Sequence, residues 1–176
     1  MGHRSGPQLL DSRPWAWPYH SMSAAFTALH QDCAALGTRL FTITSHDLGA
    51  GLFRRVYTSH PQEYPTHGTK PLLRDAWYDL CITHAQAFIA NTPDAFATVF
   101  FDHALITSMG LGSAANLPLV AADGTVPGTV NLLAEAHHFT PTRLAAYTTL
   151  IDRHRPALLQ DPGFILAQIL HGGPGV

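Results

Sequence analysis

The sequence has no marked excess of charge of either sign and no long run of apolar residues. Its 10 Lys and Arg residues nearly balance 12 Asp and Glu residues, which gives a net charge of −2 at pH 7. Electrostatics therefore give no reason to expect nucleic acid or a membrane as a partner. No apolar stretch approaches the roughly 20 residues that span a bilayer. The N-terminal residues lack the apolar core of a signal peptide, so we expect a cytoplasmic location.

Cysteine is also scarce, because the chain contains only Cys33 and Cys81. Two thiols so far apart favour a reducing compartment over a disulfide framework. The 176 residues are 46% hydrophobic and 12% charged, which is typical of one folded globular domain.

Apolar residues recur at helical spacing near both ends of the chain. The first stripe predicts a helix over 21–36 that ends at Gly37, and it consists of Met22, Phe26, Leu29, Cys33 and Leu36. The second helix begins with Thr140 as N-cap and Pro141 at its first position, and its stripe consists of Leu144, Tyr147, Ile151, His154 and Leu158. A place on a buried stripe favours a structural role for Cys33.

Short segments separate these two helices. In order they are strands over 38–47 and 51–60, a polar loop to residue 74, a helix over 74–84, a strand over 87–91, a helix over 102–110 and a hairpin over 112–135. Asp102 is the candidate N-cap of the short helix, and Asp123-Gly124 is the expected turn of the hairpin. Residues 1–19 predict an irregular arm and 161–176 a frayed tail. This order favours an α+β fold with an antiparallel sheet.

Two segments carry a resemblance to a known family. The stretch MGLGSAANLPLVAADGTVPGTVNLLAEAHHFTPTRLAAY resembles the second half of a GAF domain, and DAWYDLCITHAQAFIANT resembles that family's helix and third strand. The similarity covers about residues 22–158 and gives a domain over 20–160. It implies a GAF/PAS-like six-stranded antiparallel sheet with helices on both faces and a pocket between the sheet and the short helices. It further implies a non-catalytic small-molecule sensor that forms a homodimer through its terminal helices, although each helix stripe can equally pack on its own sheet.

The functional subclasses of the GAF family require residues that this chain lacks. Bilin-binding members attach their tetrapyrrole through a Cys-His pair, where this chain has Asp102-His103, so no covalent bilin is expected. Methionine-sulfoxide reductases of the family need a cysteine shortly before the serine that matches Ser113, and LITSMGLG contains none. Members that bind cyclic nucleotides carry lysine and carboxylates, where this chain has Leu132 and Thr142-Arg143. The expected ligand is therefore an unidentified small molecule.

Polar residues in apolar strands and clustered aromatics are the candidate ligand-binding residues. Asn116 and Asn131 can instead bond nearby backbone, and the aromatic residues can instead belong to the core. The full candidate set is Tyr57, Tyr64, Trp77, Cys81, Phe88, Phe101, His103, Asn116 and Asn131, with Phe100 as a further aromatic wall.

A thiol enzyme is the alternative function. Cys81 precedes His84 by three residues, a spacing that allows contact on a helix face, and His103 is a second candidate base. The same face also holds Trp77 and Leu80, which favours packing for Cys81. No metal site is predicted, because His60, His67 and the His137-His138 pair match no metal-ligand spacing.

Overall fold

The computed structural model describes residues 23–66 and 69–169. The predicted arm over 1–19, Met22, His67 and the last residues of the predicted tail, 170–176, lie outside this part of the chain.

Six antiparallel strands form a single sheet in the order β3-β2-β1-β6-β5-β4. The strands are β1 Leu40–Asp47, β2 Leu52–Thr58, β3 Lys70–Pro71, β4 Phe88–Ala90, β5 Ser113–Leu119 and β6 Gly128–Ala134. The first and last strands are neighbours at the centre, so the predicted hairpins 38–60 and 112–135 meet there. The six-stranded antiparallel α+β fold that the sequence predicts is confirmed.

Three helices cover one side of the sheet, which we call the helix face. They are α1 Ala24–Ala35, α5 Pro141–Leu159 and α6 Pro162–Ile169. Phe26, Leu29 and Cys33 of α1 and Tyr147 and Ile151 of α5 are buried in one cluster with side chains of the strands. The described members of both predicted stripes thus pack within the chain. His154 lies outside the apolar cluster, and its Nε2, 2.8 Å from Asp32 Oδ2, links α5 to α1.

Shorter helices lie on the opposite side, which we call the cavity face. They are α2 Ala76–Tyr78 with a continuing π-helical turn Asp79–Thr83, then α3 Pro93–Ala97 and α4 His103–Ser108. Phe96 of α3 and Ile106 of α4 share a buried cluster with Leu40 and Leu133 of the sheet. The two layers confirm the prediction of helices on both faces.

The predicted helix ends agree with the structure. Gly37 has φ +102° and Gly110 has φ +72°, a left-handed conformation that glycine adopts without strain and that ends α1 and α4. The Thr140 hydroxyl accepts a hydrogen bond from the Arg143 amide at 3.3 Å, with Pro141 directly after it at the start of α5.

Three elements differ from the prediction. The strand β3 lies inside the predicted polar loop, and α3 was not predicted although Thr92 and Pro93 repeat the Thr-Pro start of α5. Helix α6 occupies residues that were expected to fray, because Phe164 is buried against the sheet beside Gly128. A Cβ at Gly128 would come within 2.3 Å of the Thr44 carbonyl oxygen, so only glycine permits this close approach.

Candidate functional site

A cavity of about 630 Å³ lies between the cavity face of the sheet and the layer of α2, α4 and the loop that precedes α2. This volume is within the range of small-molecule sites. Successive side chains of a strand point to opposite faces, so only alternate residues of β1, β2, β5 and β6 reach the cavity. The helix face takes the residues between them.

The floor of the cavity is polar although most of it is buried. Two rows of paired positions cross the sheet. In the first row, Asn116 lies opposite Asn131, which lies opposite Thr42. In the second row, Thr129 lies opposite Thr44. His46 follows Thr44 on the same face. Polar groups are costly to bury unless they find hydrogen-bond partners. The polar groups of the floor are Thr42, Thr44, His46, Asn116, Thr129 and Asn131.

Hydrogen bonds fix the direction of the second row. The Val126 carbonyl oxygen can only accept, so His46 Nδ1, 3.2 Å away, carries the proton and donates. Burial lowers the pKa of His46 to about 4, so the ring is neutral at pH 7 and its Nε2 accepts from the Thr44 hydroxyl at 3.3 Å. Thr44 Oγ1 then accepts from the Thr129 hydroxyl at 2.6 Å. Both hydroxyl protons of this row are therefore in use.

The first row leaves a donor open. Trp77 Nε1 can only donate, and it lies 2.8 Å from Asn116 Oδ1, which fixes the orientation of that amide. Among the described residues, Asn116 Nδ2 has no hydrogen-bond partner. The neighbouring Asn131 donates from Nδ2 to Thr42 Oγ1 at 3.2 Å. Both asparagines bond side chains, and the alternative that they bond nearby backbone is not what the structure shows.

A β-bulge brings a cation to the same floor. The register between β1 and β2 shifts after Ile43, so that Tyr57 lies opposite Ile43 and Arg55 lies opposite Thr44. Without the shift, Arg55 would share the helix face with Tyr57. Arg55 Nη1 donates to the Pro65 carbonyl at 2.9 Å, and the guanidinium carbon lies 5.0 Å from the centre of the Tyr64 ring. Burial lowers the pKa of Arg55.

Asp102 has a role different from the predicted helix cap. It stands at the N-cap position of α4 but its side chain makes no capping hydrogen bond. Its Oδ2 instead accepts from the Tyr64 hydroxyl at 2.9 Å. This bond ties α4 to the loop before α2 and closes one side of the cavity.

The structure brings together most of the predicted site residues. Those that line the cavity are Tyr64, Trp77, Phe101, Asn116 and Asn131, together with Phe100. That they bind a ligand stays a prediction.

Four predicted residues do not line the cavity. Tyr57 lies on the helix face opposite Ile43, and its hydroxyl is 2.9 Å from His30 Nδ1. Phe88 is on the cavity face but behind Phe100, with ring centres 5.2 Å apart. His103 is exposed on α4, and Cys81 is buried behind Trp77 in a cluster with Ile82 and Val126.

The pairing of Cys81 with His84 is wrong. Cys81 is fully buried, whereas His84 is exposed and donates from Nδ1 to the Asp79 carbonyl at 2.7 Å. The π-helical turn has more residues per turn than an α-helix, so a spacing of three residues does not place the two side chains on one face. Burial raises the pKa of Cys81 to about 11, which favours the protonated thiol at neutral pH.

Sequence reasoning missed Arg55, His46 and the threonines of the floor. The signal for the threonines was present, since Thr42, Thr44 and His46 alternate with Phe41 and Ile43 in the predicted first strand. Such alternation marks a strand with one apolar and one polar face. Arg55 had no comparable signal, because its face depends on the bulge.

Residues 23–66 and 69–169 contain no group of three or more His, Cys, Asp or Glu side chains arranged to hold a metal ion. The same residues contain no helix with the length and apolar character needed to cross a membrane.

A central antiparallel sheet with long helices on one face, and with short helices over a cavity on the other, defines the GAF/PAS-like class of α+β domains. Within that class, the chain has the fold of a GAF domain. Solved structures carry this assignment, whereas no protein-family profile and no curated protein sequence matches the chain.

Three of the similar structures show how far the likeness extends. The GAF domain of a two-component sensor histidine kinase from Bacillus halodurans gives a TM-score of 0.61 at 11% identity, over 76% of this chain and 90% of that one. A GAF domain/HD domain protein from Geobacter sulfurreducens gives 0.60 at 12% identity, over 76% and 89%. The GAF-B domain of DevS from Mycobacterium smegmatis gives 0.54 at 19% identity, over 81% and 92%.

Proposed function

We propose that this chain is a non-catalytic sensory or regulatory module whose cavity holds a small molecule without a covalent bond. The observation that carries the proposal is the polar floor, because it presents the unpartnered Asn116 Nδ2, whose orientation Trp77 fixes, to a cavity of about 630 Å³, a size within the range of small-molecule sites. The fold supports a sensory role, since the similar structures include the GAF domain of a two-component sensor histidine kinase.

Ligand binding is tested with the full chain. Native mass spectrometry detects any molecule that copurifies, and a metabolite library is screened for compounds that raise the melting temperature. We expect hits that stabilise the natural chain and lose their effect in Asn116→Ala, since Asn116 lines the cavity. The matched control is His84→Ala, an exposed change beside the same layer, which should keep every hit. Hits that survive in Asn116→Ala, or a library without any hit, would contradict a ligand site in this cavity.

The thiol-enzyme alternative is tested by alkylation. We expect Cys81 to react with iodoacetamide much more slowly than a free thiol at pH 7.5, because it is buried and its pKa is raised to about 11. Both cysteines should react at ordinary rates once the chain is unfolded. Fast labelling of Cys81 in the folded protein would revive a reductase-like or other thiol chemistry.

Two expectations on the state of the protein complete the proposal. One is a cytoplasmic location, to be checked by cell fractionation.

The other is a homodimer through the terminal helices. The main stripes of α1 and α5 are buried within the protomer, so such a dimer has to use their outer surfaces, where Ala35, Leu36, Ala146 and Leu150 line a shallow groove. Light scattering at micromolar concentration decides between monomer and dimer.

A further inference from the structure

Arg55 is a partly buried cation without an ion pair. Its Nη1 bonds a backbone carbonyl, its Nε is buried with no hydrogen-bond partner, and no carboxylate of residues 23–66 or 69–169 forms an ion pair with it. Burial of a charge without a direct ion pair is unfavourable. The direction of its pKa shift, downward with burial as the largest cause, agrees with this reasoning.

No acidic residue of the described lining forms a direct ion pair with Arg55. Asp102 offsets part of the Arg55 charge through space, but its Oδ2 bonds the Tyr64 hydroxyl and not the guanidinium. Asp75 caps α2 by accepting from the Tyr78 amide, and Glu63 is exposed to water. Exposed charges are strongly screened, whereas a buried one is not. Of the two cations on the described lining, Arg55 is therefore the partly buried one, because Lys70 is exposed.

The other end of the floor offers a neutral donor. Asn116 Nδ2 has no partner among the described residues, and its orientation is fixed by Trp77. Asn116 on β5 and Arg55 on β2 are separated by β6 and β1, which corresponds to about 14 Å between their backbones. Arg55 lines the cavity with its guanidinium over the Tyr64 ring, and Asn116 lines the same cavity across the sheet. An occupant that spans the cavity between them is one that meets both residues.

The walls between these two ends are aromatic. Tyr64, Trp77, Phe100 and Phe101 all line the cavity, and flat rings pack well against such walls. Lys70 adds a second cation beside Phe101, 5.2 Å from its ring centre. With only two cations and three acids on the lining, a singly charged group suits the cavity better than a doubly charged phosphate.

We propose that the occupant is a small, flat organic carboxylate whose negative group pairs with Arg55 and whose second hydrogen-bond acceptor takes the free Asn116 Nδ2 protons. This inference rests on the proposed function and narrows it to one ligand class. A planar guanidinium binds a carboxylate through two parallel, charge-assisted hydrogen bonds. A carboxamide carries no negative charge and has only one oxygen, so it cannot form this pair.

The test compares matched pairs of probes on the full chain. The probes are nicotinate with nicotinamide, and quinoline-3-carboxylate with its carboxamide, each pair sharing its ring and its acceptor nitrogen. Binding is followed by NMR at the Trp77 indole N–H and the Asn116 side-chain amide, with inorganic phosphate as a separate probe. We expect at least one carboxylate to bind 10-fold or more tightly than its carboxamide and to shift both signals, and phosphate to bind more weakly than that carboxylate.

Two arginines on one strand provide the control. Arg55→Gln should weaken the carboxylate at least 10-fold and leave the carboxamide unchanged, and Arg55→Lys should weaken it less. Arg54→Gln removes the same charge, but Arg54 pairs with Ser45 on the helix face, so it should leave both probes unchanged. Equal affinity for carboxylates and carboxamides, equal effects of the two glutamine variants, or tighter phosphate binding would overturn the carboxylate inference while the ligand site stands. If no probe binds, the inference falls, and the library screen decides the ligand site separately.

Discussion

The two faces of one sheet differ although the same strands build them. On the helix face, Phe41, Ile43 and Leu132 are packed among apolar side chains. On the cavity face, their sequence neighbours Thr42, Thr44 and Asn131 lie over an open volume. The first face holds the fold together by removing apolar area from water. The second face keeps polar groups that remove little apolar area from water, and the proposed ligand site rests on this contrast.

The largest expected effect comes from neighbours on β6. Leu132→Ala removes a fully buried side chain on the helix face and should lower the free energy of unfolding by about 2–5 kcal/mol. Asn131→Ala removes one hydrogen bond on the cavity face and should lower it by about 1 kcal/mol. Urea unfolding measures both, and equal losses would contradict the division between the faces.

Gly128→Ala tests the docking of α6 on the helix face. The added methyl group would lie 2.3 Å from the Thr44 carbonyl oxygen and 2.7 Å from the Phe164 ring. We expect the strain to lower the free energy of unfolding by about 1–3 kcal/mol. Gly49→Ala is the matched control, since its nearest contact would be 3.5 Å, and it should cause no loss. An unaffected Gly128→Ala protein would show that α6 does not pack tightly here.

His46 makes the cavity face sensitive to acid. Its pKa is lowered by burial from 6.5 to about 4, so between these pH values the unfolded chain binds more protons than the folded one. Stability is therefore complete above pH 6.5 and falls as the pH falls toward 4. We expect His46 to account for a loss of about 1 kcal/mol between pH 7.5 and 5.5. Urea unfolding at several pH values should show that His46→Gln lacks this loss, and an identical pH dependence in the natural chain and the variant would exclude this cause.

Local signals in the sequence predicted most of the fold but only part of the site. The Thr140 cap, the Gly37 stop and the two apolar stripes depend on residues close in sequence, and each is confirmed. Arg55 faces the cavity because of a register shift against β1. The Arg54-Arg55 pair breaks the alternation of the predicted second strand, but this does not say which of the two side chains faces the cavity. Helix α6 depends likewise on a distant glycine. The aromatic residues of the walls were predictable, but the sequence did not predict that Arg55 lines the same cavity.

The smallest expected effect comes from a tyrosine hydroxyl at the edge of the cavity. Burial, followed by the charge of Asp102, raises the pKa of Tyr64, so its hydroxyl stays protonated and donates to Asp102 Oδ2. Tyr64→Phe should lower the free energy of unfolding by about 0.5–1 kcal/mol, because water replaces the lost donor at the half-buried carboxylate. Tyr78→Phe is the control, since no described residue bonds its hydroxyl, and it should leave stability unchanged in the same urea titration. A loss in Tyr78→Phe as large as in Tyr64→Phe would mean that the bond across the cavity contributes nothing of its own.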